Sequence, residues 1–228
     1  MHNFSTYDVM IFDLFHTLTT LKHTQAPGKG TSEILGINAE TWNNALVNTS
    51  EDRLRGKITD QALIVKSVAD QLKPNIPMTT IIEAARSRHI RFAYALQNMP
   101  STTIESLQKL YTAGKTIALI SNADISECAG WQHSPVAKFF TTAVFSCDVG
   151  FVKPETEIYE LCLERLNKKP KDCLYIGDGG NNELITAHQL GMTTVLTTEF
   201  ITDMWPEKIP ELKIHADSVI HSLWQLTT

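Results

Sequence analysis

CLYIGDGGNNELITAHQLGMTTVL, residues Cys173 to Leu196, runs strand, loop, helix and strand without a break. Cys173 to Asp178 is a short apolar stretch ending on a carboxylate, and Gly179 and Gly180 punctuate a turn. Asn182 to Leu190 reads as a helix ended by Gly191, and Thr193 to Leu196 as a strand. A strand, a helical crossover and a second strand form the unit of a parallel sheet. The same rhythm extends upstream: Thr102 to Ala113 reads as a helix stopped by Gly114, TIALISN (Thr116 to Asn122) as a strand, AVFSC (Ala143 to Cys147) as a strand and Glu155 to Asn167 as a helix. Tyr7 to Asp13 is a nearly continuous apolar run closed by a carboxylate, the pattern of a central strand buried on both faces. Asp217 reads as the N-cap of a last helix reaching about Leu226. The economical fold is α/β, a doubly wound parallel sheet of Rossmann-like type.

Between the first strand and the rest, the rhythm is different. Lys22 to about Lys73 holds Pro27, Gly28 and Gly30 followed by polar, weakly amphipathic stretches, and reads as loop and helices. From Thr79 the positions Ile82, Ala85, Phe92 and Leu96, with His89 among them, draw one apolar stripe along a long helix that Pro100 closes. Arg86, Arg88, His89 and Arg91 on that helix read as a solvated face. Charge marks the same division: residues 20–96 carry 10 Lys and Arg against 7 Asp and Glu, and the remainder carries 10 against 18. The expected organisation is a core of residues 1–20 and 97–228 with a helical insertion at 21–96.

At 228 residues, 43% hydrophobic and 20% charged, the chain is of globular composition and long enough to bury a sizeable core. A net charge of −5 without a basic, aromatic-interleaved tract argues against a nucleic-acid partner. No run of about 18 apolar residues occurs, so no membrane-spanning helix is expected. The opening MHNFSTYDVMIFD has neither a basic lead nor a small-residue cleavage site, which makes a cytoplasmic location the default expectation. Cys128, Cys147, Cys162 and Cys173 form no CxxC pair and read as free thiols. Nothing in the sequence fixes the oligomeric state.

In open parallel sheets ligands bind beyond the carboxyl ends of the strands. Asp13, Ser121 with Asn122, and Asp178 stand at such ends, and Lys153 precedes Pro154 ahead of a helix. Taken singly, each has an ordinary reading as a turn, cap or surface residue. Together they suit covalent phosphoryl transfer: a carboxylate nucleophile, a divalent metal between two acids, and hydroxyl and ammonium groups for the phosphoryl oxygens.

With these residues the sequence resembles the haloacid dehalogenase superfamily of hydrolases. The first motif of that family, Asp-x-Asp-Gly-Thr after an apolar strand, stands here as Asp13-Leu14-Phe15-His16-Thr17; the second matches Ser121; the third, a Lys ahead of a helix, matches Lys153 in GFVKPE; the fourth matches Gly177-Asp178 with Glu183 in GDGGNNE. The motifs occur in family order over essentially the whole chain, and the insertion resembles the helical cap of one large branch. The resemblance implies Asp13 as nucleophile and Ser121 and Lys153 as further catalytic groups. It implies Mg²⁺ held by Asp13, Asp178 and the backbone carbonyl of Phe15, with Glu183 and Asn182 in support. Phe15, His16, Thr17, Ser121, Asn122 and Lys153 would contact a small phosphorylated substrate.

One position departs from the pattern. Phosphatases of the family carry their general acid where this chain has Phe15, and Phe transfers no proton. His16 takes the place of the usual glycine and is a candidate substitute acid. Family members that cleave carbon–halogen bonds have an aromatic residue at this position, because halide leaves unprotonated. Asp178 and Glu183, in contrast, form an acid pair suited to Mg²⁺. Three readings follow: a Mg²⁺-dependent phosphatase working through an aspartyl-phosphate, which is preferred; a dehalogenase; and a pseudo-enzyme that binds a phosphorylated ligand.

Overall fold

In the computed structural model, residues 4–22 and 24–228 are described; residues 1–3 of the expected core and His23 of the expected insertion lie outside them. Six strands build one sheet: β1 (Val9–Phe12), β2 (Thr116–Ser121), β3 (Thr142–Phe145), β4 (Cys173–Gly177), β5 (Thr193–Thr197) and β6 (Ser218–Ile220). Every pairing is parallel, in the order β3-β2-β1-β4-β5-β6. The chain therefore winds outward from β1 through β2 to β3, crosses back, and winds the other way from β4 to β6. The crevice where the two windings part lies at the carboxyl ends of β1 and β4, where a ligand site is expected.

Alternation along the strands sorts the core into two layers. Met10, Phe12, Ile117, Leu119, Leu174 and Ile176 pack on one face with Leu107 and Leu110 of α6 (Ser101–Thr112) and with Leu223 and Leu226. Val9, Ile11, Ala118, Ile120, Cys173 and Tyr175 pack on the other with Ile158, Tyr159, Cys162 and Leu163 of α9 and Leu184 and Ala187 of α10. Here α9 spans Thr156–Leu166 and α10 Glu183–Gln189, while the short α7 (Ile125–Cys128) and α8 (Ser146–Val149) follow β2 and β3. β1 is buried at every position, as its unbroken apolar run requires.

After β1 come α1 (Thr31–Leu35), α2 (Ala39–Asn48), α3 (Glu51–Leu54), α4 (Gln61–Leu72) and α5 (Met78–Gln97), with no strand among the described residues. Leu35, Trp42, Val65, Val68, Ala69, Ile81, Ala84 and Ala85 form an apolar cluster separate from the two sheet layers.

Four readings of the sequence are corrected. The buried line on α5 is Ile81, Ala84, Ala85, Arg88, Ala95 and Leu96, so the face is turned by one position and Ile82 is 52% exposed. Alternation by three and four fits both lines, and only the packing of α4 against α5 selects one. Arg88 is therefore buried and not part of a solvated face, His89 shares a hydrogen bond with Gln61 (2.9 Å), and Arg91 donates to the carbonyl of Ala26 (2.9 Å). The last helix does not start at Asp217. That carboxylate accepts from the backbone N–H (2.8 Å) and hydroxyl (2.9 Å) of Thr194, anchoring β6 to β5. A 3₁₀ turn begins only after Ser222, whose capping box with Gln225 was hidden by the apolar run before it. Ser146 and Cys147, read as strand, belong to α8.

Candidate active site

Asp13 follows β1 and its backbone N–H donates to Ile176 of β4 (2.9 Å), so the carboxylate is pinned at the crevice. Its Oδ2 accepts from the hydroxyl of the fully buried Thr17 (3.0 Å), and its Oδ1 accepts from Lys153 Nζ (2.5 Å). Lys153 also donates to Glu183 Oε2 (2.6 Å) and to the Tyr175 hydroxyl (3.3 Å). The loop bearing it is held by Asn122, whose side chain accepts from the Lys153 N–H (2.7 Å) and donates to its carbonyl (2.9 Å). Both ends of the Asn122 amide are thus spent on positioning Lys153. Ser121, at the last position of β2, is buried and lines the cavity beside it.

Asp178 follows β4, where Gly179 with a φ of 84° turns the chain. Its Oδ1 accepts from the Gly180 N–H (2.8 Å), and its Oδ2 lies 3.5 Å from His16 Nδ1. Glu183, at the start of α10, uses both oxygens: Oε1 accepts from the Gly179 N–H (3.1 Å), and Oε2 from Lys153 and the Tyr175 hydroxyl (2.9 Å). Tyr159 donates to the Glu183 carbonyl (3.1 Å). Oxygens of Asp13, Asp178 and Glu183 lie within 4.8 Å of one another. Asn182, in contrast, is exposed and lies outside the cavity lining, whereas its neighbour Asn181 lines it.

Burial pushes Asp13 up from the ordinary carboxylate value despite Lys153, and Asp178 adds to the rise. Glu183 is pushed up to about 8, by burial first, with Lys153 opposing and Asp13 and Asp178 reinforcing. Asp178 goes the other way: burial would raise it, but His16 and the Gly180 amide hold it low. Lys153 stays charged because Asp13 and Glu183 outweigh its burial. Three acids against one ammonium is the donor set of a cation site. Each pair of ionised carboxylates at this separation repels by roughly 3 kcal/mol at an effective dielectric of about 20, and a divalent cation relieves that repulsion. All three present oxygens, the ligands that suit Mg²⁺.

The site opens into a cavity of about 770 Å³. Phe15, Leu54, Phe92, Met204 and Trp205 give it an apolar wall. The Phe15 ring meets Phe92 of α5 edge-on at 5.4 Å, and the His16 ring, on a residue with φ 65°, meets Trp205 edge-on at 4.8 Å.

Sequence reasoning missed a second charged cluster on the cavity wall. Arg53 Nη1 donates to Asp124 Oδ2 (2.8 Å) and Glu127 Oε1 (3.2 Å), while Arg88 donates to Asp124 Oδ1 (2.9 Å) and Glu127 Oε1 (2.5 Å). Asp124 caps α7 in a capping box with Glu127, and it is fully buried while Arg88 is 4% exposed. Asp-x-x-Glu after a strand was the one legible sign of this cap. Beside it, Arg55 binds Glu155 and the Gly150 carbonyl (2.9 Å). Together these pairs seat the helices after β1 against the elements that follow β2 and β3.

A family model described as haloacid dehalogenase-like hydrolase matches residues 7–191. The glyceraldehyde 3-phosphate phosphatase of Methanothermobacter thermautotrophicus is 28% identical over 142 residues, 62% of this chain and 61% of that protein. The chain spans less than two thirds of the length of the curated relatives it first matches. The L-2-haloacid dehalogenase of Xanthobacter autotrophicus, solved with chloropropionic acid covalently bound, has a TM-score of 0.64 at 15% identity and covers 97% of each chain. A HAD family enzyme of Bacteroides thetaiotaomicron, in complex with magnesium and inorganic phosphate, has a TM-score of 0.57 at 19% identity and covers 84% of this chain and 94% of that one. These likenesses to solved structures are likenesses of fold.

Proposed function

The chain belongs to the haloacid dehalogenase-like hydrolases, and we propose that within that family it is a Mg²⁺-dependent phosphatase acting on a small phosphorylated metabolite. The observation that carries this reading is the convergence of Asp13, Asp178 and Glu183 around Lys153. Asp13, Asp178 and the main-chain carbonyl of Phe15 would hold Mg²⁺, with Glu183 behind them, where it holds Lys153 and the Gly179 N–H in place. When bound, the ion supplies positive charge against the phosphoryl oxygens.

The remaining chemistry belongs to the chain. The Asp13 carboxylate attacks phosphorus, and the bond to the leaving oxygen breaks with its electron pair going to that oxygen. Lys153 and Ser121 bind the phosphoryl oxygens, and Thr17 holds Asp13 in line. Water then attacks phosphorus and the acyl phosphate bond breaks, which regenerates Asp13. The helices after β1 act as a cap whose apolar wall receives the body of the substrate. The glyceraldehyde 3-phosphate phosphatase relative supports a small phosphate ester in that place.

The test is release of phosphate from phosphate esters and of halide from 2-haloacids, with and without chelator. Phosphate release that needs Mg²⁺ is expected. Halide release indifferent to chelator would overturn the phosphatase reading in favour of a dehalogenase, for which the Phe15 side chain on the cavity wall speaks. Saturable phosphate binding without turnover on either class would instead mark a ligand-binding pseudo-enzyme.

A further inference from the structure

Cys128, at the end of α7, and Cys147, in α8, place their sulfurs 3.7 Å apart, and both residues are partly exposed free thiols. Neither belongs to the cavity lining. The two elements are fixed to one another: the Cys147 N–H donates to the Ala123 carbonyl (3.3 Å), and the Ser146 hydroxyl accepts from the Ala123 N–H (3.0 Å). A disulfide has a sulfur separation of about 2.05 Å, so the two sulfurs, already at 3.7 Å, need to approach by less than about 2 Å to bond. We infer that Cys128 and Cys147 form a redox site, a dithiol that oxidants of the peroxide class convert reversibly into an intramolecular disulfide.

The surroundings assign the two sulfurs different parts. Cys147 lies 3.8 Å from Asp148 Oδ1, and the contact with Cys128, together with burial and that carboxylate, pushes its thiol up so that it keeps its proton. Cys128 makes the first attack, because negative charge developing on the Cys147 sulfur would face the Asp148 carboxylate. Its sulfur attacks one peroxide oxygen, the O–O bond breaks, and the departing hydroxide takes up the proton lost from Cys128 to leave as water. Cys128 is now a sulfenic acid. The Cys147 sulfur attacks the Cys128 sulfur, the S–O bond breaks, and the oxygen departs as a second water with the Cys147 proton. Two thiols are oxidised by two electrons, and one peroxide is reduced to two waters.

The location gives the site a consequence. Asp124 and Glu127, which hold Arg53 and Arg88, flank and belong to the helix that Cys128 ends. A Cβ at Gly56, just after α3, would come within 2.0 Å of the Cys147 carbonyl oxygen. The disulfide would therefore cross-link the two elements on which the helices after β1 rest.

Cys162 and Cys173 serve as internal controls, since both are buried and burial pushes their thiols up to about 12 and about 11. The experiment titrates the reduced chain with hydrogen peroxide, alkylates the remaining thiols and maps the peptides by mass. The expected product is a linked Cys128–Cys147 peptide, lighter by two hydrogens than its parts and restored by dithiothreitol. It should form at least about tenfold faster than Cys162 or Cys173 is modified. In Cys147→Ser the reaction should stop at a Cys128 sulfenic acid that dimedone traps. Separate over-oxidation of the two residues, links between chains only, or a rate no greater than that of the buried pair would each overturn the inference. The decisive mapping uses the unsubstituted chain, so a poorly folding variant leaves the test intact.

Discussion

The Phe15 position is expected to make the proposed phosphatase sensitive to its leaving group, by an amount set by the general worth of acid catalysis. The Phe15 ring is engaged edge-on with Phe92, and the neighbouring His16 ring faces Asp178 and Trp205. Glu127, also on the cavity wall, is bound to Arg53 and Arg88. Among the described cavity residues, then, Asp178, Glu183 and Glu127 are engaged with other groups, while Glu211 is an exposed residue of the same lining. General acid catalysis is worth about 10²–10⁴-fold, or about 3–5 kcal/mol of barrier, and an alkoxide forfeits it here. Nitrophenolate and acyl phosphates depart with little help and forfeit almost none. The assay is kcat/KM for p-nitrophenyl phosphate, acetyl phosphate and a simple alkyl phosphate, with an alkyl deficit of about 10²–10⁴ expected beyond the binding difference. Phe15→Asp should narrow that deficit from the alkyl side, and His16→Ala should leave it unchanged. A shallow dependence that steepens in His16→Ala would identify His16 as the acid. Equal rates on all three esters, insensitive to either substitution, would refute the argument.

Asp13→Asn should abolish turnover on every substrate while its thermal unfolding stays close to that of the parent, because an amide cannot attack phosphorus; undiminished phosphate release would remove Asp13 from the role. Arg88→Met leaves a buried carboxylate short of its partner, which typically costs about 3–5 kcal/mol, and urea unfolding should show it; a loss under about 0.5 kcal/mol would place the pair among surface bridges. The same cluster predicts an acid limb. Burial works against the charge of Asp124, but Arg88 and Arg53 hold it below its ordinary value of 3.8, so its contribution is complete above that value and drains away as pH falls through the folded one. In Arg88→Met burial meets less opposition and the folded value rises toward or past the unfolded one, so this acid limb should shrink or reverse, which urea midpoints across the acid range would read. Gly56→Ala should lower the unfolding temperature, since Gly56 has φ 68° and the new Cβ meets the Cys147 carbonyl; about 1–3 kcal/mol of strain corresponds to roughly 2–4 °C for each kcal/mol.

Much of this molecule was legible because the signals were local. A buried strand announces itself by an apolar run closed by a polar residue, and β1, β2 and β4 do so with Asp13, Ser121 and Asp178 at their ends. Parallel pairing then brings those ends to one rim whatever the details of the loops. What escaped depends on contacts between distant segments. Arg88 looks like any charged helix residue until Asp124, 36 positions away, is packed against it. Asp217 has the type and spacing of an N-cap, and only its bonds to Thr194 show that it staples one strand to another. Asn182 sits beside Glu183 in sequence, yet a residue at φ 54° turns its side chain away from a neighbour that enters the buried helix.

The proposed chemistry also explains how Phe15 fits the charge balance of the site. Asp13, Asp178 and Glu183, when ionised, carry three negative charges against the one positive charge of Lys153. The cluster above them cancels itself, two arginines against two carboxylates. With all three ionised, the excess at the rim would match one divalent cation, and without that cation the field would repel the phosphate dianion that Ser121 and Lys153 are proposed to receive. A second aspartate at position 15 would add a further negative charge when ionised and would have to be held protonated to donate. Phe15 removes that requirement together with the proton. A metal ligand drawn from the main chain is indifferent to the exchange, because a carbonyl keeps its dipole whatever side chain follows it. The substitution thus removes the proton supply and leaves the proposed metal site intact, so the kinetic cost is expected on substrates whose leaving group needs the proton.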